Sequence, residues 1–395
     1  MLKFKSLMAL ALLCMMVQGM WATAAMAQDS LRIKLDSLLQ DPMFETSQVG
    51  LMVYDLTADT VVYQHHARQL MRPASTMKLV TAITALDCLG GDYLLSTRLY
   101  HTGVIRNGRL TGDLYCVGGF DPTVTEDDVR EFARQLHLQG VDTLQGNIFA
   151  DRSMKEPLDY GEGWCWDDDN PVLTPLSVGR KNNFTDLLEE KLAGEGIVLD
   201  GVGVGEGVCP AKAQLVTICT HTIDQVLLRM MKKSDNFYAE ALFYQIAAST
   251  GPQPAKAADA CRMVKQLIRK IGLGDRPYRI ADGSGLSLYN YLSAELEVML
   301  LRYAWRNEYI YSHLYPSLPI AGVDGTLEKR MRRWPTLDNV HAKTGTLTGI
   351  SSLAGYLCAS DGRALAFSII NQGVMRNKDG KDFQDRVCQV LCEAY

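Results

Sequence analysis

Apolar residues recur at two periods along this chain, and the changes of period mark out its elements. Leu31, Leu35, Leu38 and Leu39 fall at i, i+4, i+7 and i+8, which predicts an amphipathic helix over 30–39. Val49, Leu51 and Val53 alternate with their neighbours. Thr57-Ala58-Asp59-Thr60 then turns the chain and Val61-Val62-Tyr63 follows, which predicts a β-hairpin. Pro73 disfavours helical geometry at Arg72, so a helix should begin just after it, with Leu79, Val80, Ile83 and Leu86 burying one face. Helical spacing returns over 223–231, 237–248 and 257–271, and after the capping candidate Ser293. Near the end the period is two again. Ala342–Thr346 is short and β-like, 351–358 and 364–370 are strands joined through Asp361-Gly362, and a last helix carries Phe383, Val387, Val390 and Leu391. This order predicts an α/β (α+β) fold, an antiparallel sheet flanked by helices.

Between residues 99 and 214 the texture differs. Turn signals are frequent, helical runs are short (129–138 is one), and 20 acidic residues face 10 basic ones. The net charge of this stretch is −10, whereas the rest of the chain beyond residue 27 sums to +3. The contrast predicts an inserted β-rich domain at 99–214 within a main domain formed by 28–98 and 215–395. Trp164-Cys165-Trp166 and Asp167-Asp168-Asp169 stand out in it. They lack the alternating ligands of a calcium loop and read as a solvated loop.

The first 27 residues read as a secretory signal: Lys3 and Lys5, an apolar run from Leu7 to Val17, and Ala25-Met26-Ala27 as the cleavage site. The expectation is export, to the periplasm or beyond it, with no stable membrane anchor. The acidic balance, −5 overall, argues against nucleic acid as a partner. Nine cysteines follow the signal with no C-x-x-C or zinc spacing, and read mostly as buried small hydrophobes.

Ser75-Thr76-Met77-Lys78 opens the helix after Pro73. Lys78 lies one turn beyond Ser75 on the same face, so an amine can reach a hydroxyl beside unpaired backbone N–H groups. Alone, S-x-x-K equally describes a capping serine and a solvated lysine. Two further motifs change that: Ser234-Asp235-Asn236 between two helices, and Lys343-Thr344-Gly345 on a strand before a hairpin. Acyl transfer from an amide needs an activated nucleophile, a proton donor for the leaving amine and an oxyanion site. Ser75 is the candidate nucleophile and Lys78 its base, its pKa lowered by a second cation for which Lys343 is the candidate. Ser234 can relay a proton, and Asn236 can bond Lys78 and the substrate amide. Lys343 and Thr344 can hold a terminal carboxylate, and Gly345 admits the substrate backbone. The N–H groups of Ser75 and Thr346 would form the oxyanion hole. G-x-S-x-G and H-E-x-x-H are absent, and His341 and His65-His66 read as structural.

The three motifs in this order are the signature of penicillin-binding proteins and class A β-lactamases. Four longer phrases resemble one branch in particular. They are Gly118-Gly119-Phe120-Asp121-Pro122-Thr123, Ala281-Asp282-Gly283-Ser284-Gly285-Leu286-Ser287, the run from Pro319 to Leu327, and His341-Ala342-Lys343-Thr344-Gly345-Thr346. They resemble the class C low-molecular-mass penicillin-binding proteins, the D-alanyl-D-alanine carboxypeptidase/endopeptidase family. That family carries a large insert between its first two motifs, and here 155 residues separate Lys78 from Ser234. The resemblance implies the penicilloyl-serine transferase fold. It implies cleavage of D-Ala-D-Ala, and of D-Ala cross-links, in peptidoglycan stem peptides through an acyl-enzyme on Ser75. It further implies β-lactams as covalent inhibitors, with no metal or cofactor. The family often has arginine where this chain has Leu288, a position associated with the free carboxylate of the stem peptide's third residue. The Asp282 and Asp324 loops read as structural turns. The alternatives are a β-lactamase or esterase on the same fold, and a non-catalytic peptidoglycan-binding scaffold.

Overall fold

The computed structural model describes residues 29–165, 167–168, 170–251 and 253–394. The expected signal segment lies outside them, as do Trp166 and Asp169. The chain divides into two compact units, one made of the described residues up to Met71, Ser293–Arg302 and the chain from Pro319 on, the other of Arg72–Leu292 and Tyr303–Leu318.

The first unit is built on a five-stranded sheet. The predicted hairpin is present as Gln48–Asp55 and Thr60–His65, and Gln48–Asp55 also pairs with Ala364–Gln372. Ile350–Cys358 lies next, and His341–Leu347 forms the edge, all neighbours antiparallel. Seven or eight consecutive residues of each inner strand are buried, as expected for strands covered on both faces. The helices at 29–38 and Asn377–Cys392 cover the sheet. Leu31 and Leu35 from one, and Phe383, Val387 and Leu391 from the other, join Leu51, Val53, Leu353 and Phe367 in one core. The 3.6-residue spacing of those side chains supplies the apolar stripes that the sheet buries.

The second unit contains two sheets. Five strands run in the order Val204–Glu206, Ile148–Asp151, Leu114–Val117, Leu94–His101 and Gln214–Thr222. Four short strands, Val104–Arg106, Arg109–Thr111, Thr143–Gln145 and Val198–Leu199, form the other. Phe132, Leu136, Phe184 and Leu188, from helices Glu126–Leu138 and Phe184–Gly194, pack into their core. The same unit holds helices Met77–Leu89, Ile223–Lys232, Asn236–Ala248 and Ala257–Lys270. Met77 through Leu86 are buried without a break, so this helix is enclosed on every side rather than on the one face its spacing predicts. Two threonines in it, Thr81 and Thr84, are accommodated because each hydroxyl donates to a backbone carbonyl.

The nine described cysteines are all free thiols. Only Cys116, Cys388 and Cys392 are buried, fewer than expected. The others lie on strand faces, turns and helix flanks that stay partly open.

Candidate active site

Ser75 lies in a single 3-10 turn, Ala74–Thr76, immediately before helix Met77–Leu89. Ala74 has a positive φ of 49°, unusual for a residue with a side chain. The Thr76 hydroxyl donates to the Pro73 carbonyl at 2.7 Å and closes the turn from inside. Lys78 follows in the first α-helical turn and is wholly buried.

The partners of the Lys78 amine define its chemistry. Its Nζ lies 2.7 Å from Asn236 Oδ1, 2.7 Å from the Ser284 carbonyl oxygen and 3.0 Å from Ser75 Oγ. The first two are oxygens that can only accept. A neutral amine has two N–H bonds and one lone pair, so with both hydrogens given to those oxygens its lone pair is left for the Ser75 hydroxyl. Burial pulls the Lys78 pKa down to about 8, against the upward pull of Asp282, Glu240 and Asp235.

The Ser284 carbonyl is held from behind. Glu240, one turn on from Asn236 and on the same face of helix Asn236–Ala248, is buried, and its Oε1 accepts the N–H groups of Gly283 (3.0 Å) and Ser284 (2.8 Å). The Gly283 carbonyl accepts from Thr81 Oγ1 at 2.6 Å, on the Lys78 helix. Burial first, then the Asp282 charge, lifts the Glu240 pKa to about 8. Asp282 is the hub of this loop, accepting from the N–H groups of Gly285 and Ser287, from Ser284 Oγ, from Asn290 Nδ2 and from Trp164 Nε1. Gly285 adopts φ +81°, and a Cβ placed there would stand 1.8 Å from the Ala74 carbonyl oxygen. The loop therefore supports both the turn that carries Ser75 and the amine of Lys78.

Ser234 is the second non-glycine residue of the site at positive φ, +57°. Asp235 caps helix Asn236–Ala248 by accepting from the Phe237 N–H, and Arg229 donates to its other oxygen at 3.0 Å. Asn236 Nδ2 donates to Asn170 Oδ1 at 3.0 Å.

Lys343, Thr344, Gly345 and Thr346 belong to the other unit and occupy its edge strand, His341–Leu347. The Lys343 side chain is buried, with Nζ donating to the Thr344 carbonyl at 2.7 Å. Thr344 Oγ1 bonds Thr326 Oγ1 at 2.8 Å, and Ile320 pairs with His341. The phrase from Pro319 to Leu327 thus lies against the Lys-Thr-Gly strand. Thr346 is exposed.

Direct hydrogen bonds thus join Ser75, Lys78 and Asn236, although 158 positions separate Lys78 from Asn236. Sequence reasoning missed Ser284, Glu240, Trp164 and Asn170 and took Asp282 for a turn residue. Ser284 acts through a carbonyl, which every residue has, so its type carries no signal. Trp164 was visible only as a conspicuous residue in an acidic loop. Leu288 is exposed, and its carbonyl accepts from Arg72 Nε at 2.9 Å, while the Arg72 guanidinium lies 5.3 Å from the Tyr291 ring centre.

The family model described as the D-Ala-D-Ala carboxypeptidase 3 (S13) family matches residues 31–179 and 177–394. D-alanyl-D-alanine carboxypeptidase DacB of Haemophilus influenzae is 26% identical over 407 residues, covering 82% of this chain and 85% of its own. A D-alanyl-D-alanine carboxypeptidase of Actinomadura sp. is 27% identical over 441 residues, covering 87% and 81%. The crystal structure of penicillin binding protein 4 from Haemophilus influenzae, complexed with a β-lactam, superposes with a TM-score of 0.75 at 25% identity, over 89% of this chain and 97% of that one. The penicilloyl-serine transferase fold expected from the motifs is therefore the fold observed, and the chain belongs to the D-Ala-D-Ala carboxypeptidase 3 (S13) family.

Proposed function

We propose that Ser75 is the nucleophile of a serine DD-peptidase that hydrolyses the D-Ala-D-Ala bond of peptidoglycan stem peptides. Family membership supplies the enzyme class, a serine-type D-Ala-D-Ala peptidase of peptidoglycan. The observation that supports the assignment of roles is the Lys78 amine, held by two acceptor-only oxygens with its third direction on Ser75 Oγ.

In this reading, neutral Lys78 takes the Ser75 proton as Oγ attacks the carbonyl of the penultimate D-Ala. The oxyanion of the tetrahedral intermediate lies at the N–H groups of Ser75 and Thr346. The C–N bond then breaks, and the departing amine of the terminal D-Ala receives a proton relayed through Ser234. Water cleaves the resulting ester and restores Ser75. Lys343 and Thr344 hold the substrate's terminal carboxylate, and the stem peptide lies along the edge strand His341–Leu347 as an added strand. A β-lactam offers the same carbonyl and carboxylate, and its acyl-enzyme persists because the amine leaving group stays tethered. The bound β-lactam in the Haemophilus influenzae neighbour supports this. The D-Ala cross-link is a second substrate of the same site, and residues 1–27 direct the chain to the periplasm.

Labelled penicillin tests the assignment. Wild-type protein should take up one equivalent and Ser75→Ala none, and wild-type protein should release D-Ala from a pentapeptide muropeptide. Uptake by Ser75→Ala at the wild-type level overturns it.

A further inference from the structure

We infer that Asp128, Cys219 and His221 form a binding site for a zinc-like divalent metal ion, held in place by Asp121. The donor atoms of the three lie within 4.8 Å of one another. Cys219 and His221 are two residues apart on strand Gln214–Thr222, so both side chains leave the same face. Asp128 is the third residue of helix Glu126–Leu138, which presents it to that face.

The His221–Asp128 distance fits ligation better than a mutual hydrogen bond. His221 Nε2 is 3.8 Å from Asp128 Oδ2, and Cys219 Sγ is 3.9 Å from the ring at Nδ1. A nitrogen and an oxygen 3.8 Å apart do not share a hydrogen bond. Neighbouring ligands on tetrahedral zinc, with bonds of about 2.0–2.3 Å, stand roughly 3.4–3.6 Å apart. His221 Nε2 and Asp128 Oδ2 therefore need shifts of only about a few tenths of an ångström, and Cys219 Sγ, within 4.8 Å of the other donors, a side-chain shift of up to about 1 Å. Thiolate, imidazole and carboxylate together select zinc, or cobalt in its place, over calcium or magnesium.

Asp121 supplies the support that a ligating imidazole needs. Its carboxylate is completely buried and lies 2.7 Å from His221 Nδ1. Giving the Nδ1 proton to Asp121 leaves the Nε2 lone pair facing Asp128, the arrangement of a carboxylate–histidine–metal triad. Asp121 is itself fixed, accepting at Oδ1 from the N–H and hydroxyl of Thr123. With three protein ligands the fourth position falls to water. None of these residues takes part in the acyl transfer proposed for Ser75, so the two readings stand or fall separately.

The test is a Co²⁺ titration of the full mature chain after dialysis against a chelator. One cobalt should bind per chain at micromolar free metal, with a near-ultraviolet thiolate-to-cobalt band that Zn²⁺ abolishes. Cys219→Ser should lose that band, His221→Gln should bind at least about tenfold more weakly, and Asp121→Asn should weaken binding by roughly 10- to 100-fold. Penicillin uptake should be unchanged in all three. No uptake by wild-type protein overturns the site and leaves an imidazolium paired between Asp121 and Asp128. A band that persists in Cys219→Ser also overturns it, by placing the metal on another cysteine. Cys219→Ser is a one-atom change at a half-buried position, so it decides the matter even if the histidine variant does not fold.

Discussion

Asn236 donates from Nδ2 to Asn170 Oδ1 at 3.0 Å, and this bond fixes which end of the Asn236 amide faces Lys78. With Nδ2 engaged, Oδ1 turns to the amine. Rotating the amide by 180° would set Nδ2 against the amine and Oδ1 against another oxygen. Asn170 follows the acidic loop of the inserted stretch, so that loop takes part in ordering the site.

Asn170→Ala should therefore slow acylation without unfolding the chain. A neutral hydrogen bond contributes roughly 0.5–1.5 kcal/mol, so the rate with a fluorescent penicillin should fall about two- to tenfold. The thermal midpoint should stay within a few degrees of wild type. An unchanged rate would show that Asn236 is oriented by other contacts.

The pH dependence of acylation follows from Lys78. Its pKa is drawn down to about 8, chiefly by burial. Below that pH the amine is protonated and has no lone pair for the Ser75 proton; above it the base is ready. The acylation rate constant should therefore drop about tenfold per pH unit below about 8 and level off above. A rate constant flat from pH 6 to 9 would remove Lys78 as the general base.

Glu240 separates a packing role from a charge role. Its carboxyl group, with a pKa lifted to about 8, is mainly neutral at pH 7. Glu240→Gln keeps an uncharged acceptor in the same place for the Gly283 and Ser284 N–H groups, and acylation at pH 7 should stay within about threefold of wild type. Glu240→Ala leaves both donors buried without a partner, at a cost of roughly 1–3 kcal/mol for each. The Ser284 carbonyl then loses its fixed position against Lys78, and acylation should slow at least about tenfold. Equal rates in the two variants would mean that the carboxyl group does not position the base.

The elements were legible from the spacing of apolar residues and from the signals at their ends. The hairpin at 48–65, the helices after Thr222 and Asp235 and the last two strands all come from two- and 3.6-residue repeats with capping or turn residues at their ends. Ser75, Lys78 and Asn236 were legible as candidates because their short motifs stand in the signature order, and direct hydrogen bonds join them. The supports were not. Glu240 sits among eleven consecutive buried residues of its helix, where period says nothing about which side chain faces the base. The Ser284 contact uses backbone, and Asn170 is brought to Asn236 by a loop with no repeat to follow.

Gly285 offers the sharpest test of how the nucleophile is held. It sits at φ +81°, and a Cβ there would meet the Ala74 carbonyl oxygen at 1.8 Å. Gly140, just past helix Glu126–Leu138, has nearly the same φ, +85°, but nothing within 4 Å of its would-be Cβ. Gly140→Ala therefore carries only the backbone strain of a left-handed alanine, roughly 1–2 kcal/mol, and should leave acylation unchanged. Gly285→Ala carries that strain and must also push the Ala74 peptide away, which turns Ser75 relative to Lys78. The rate of penicillin uptake should fall by two orders of magnitude or more, with a larger drop in Tm than in Gly140→Ala. If both variants lose the same stability and both acylate at the wild-type rate, the close approach of Gly285 to Ala74 does not shape the nucleophile's turn.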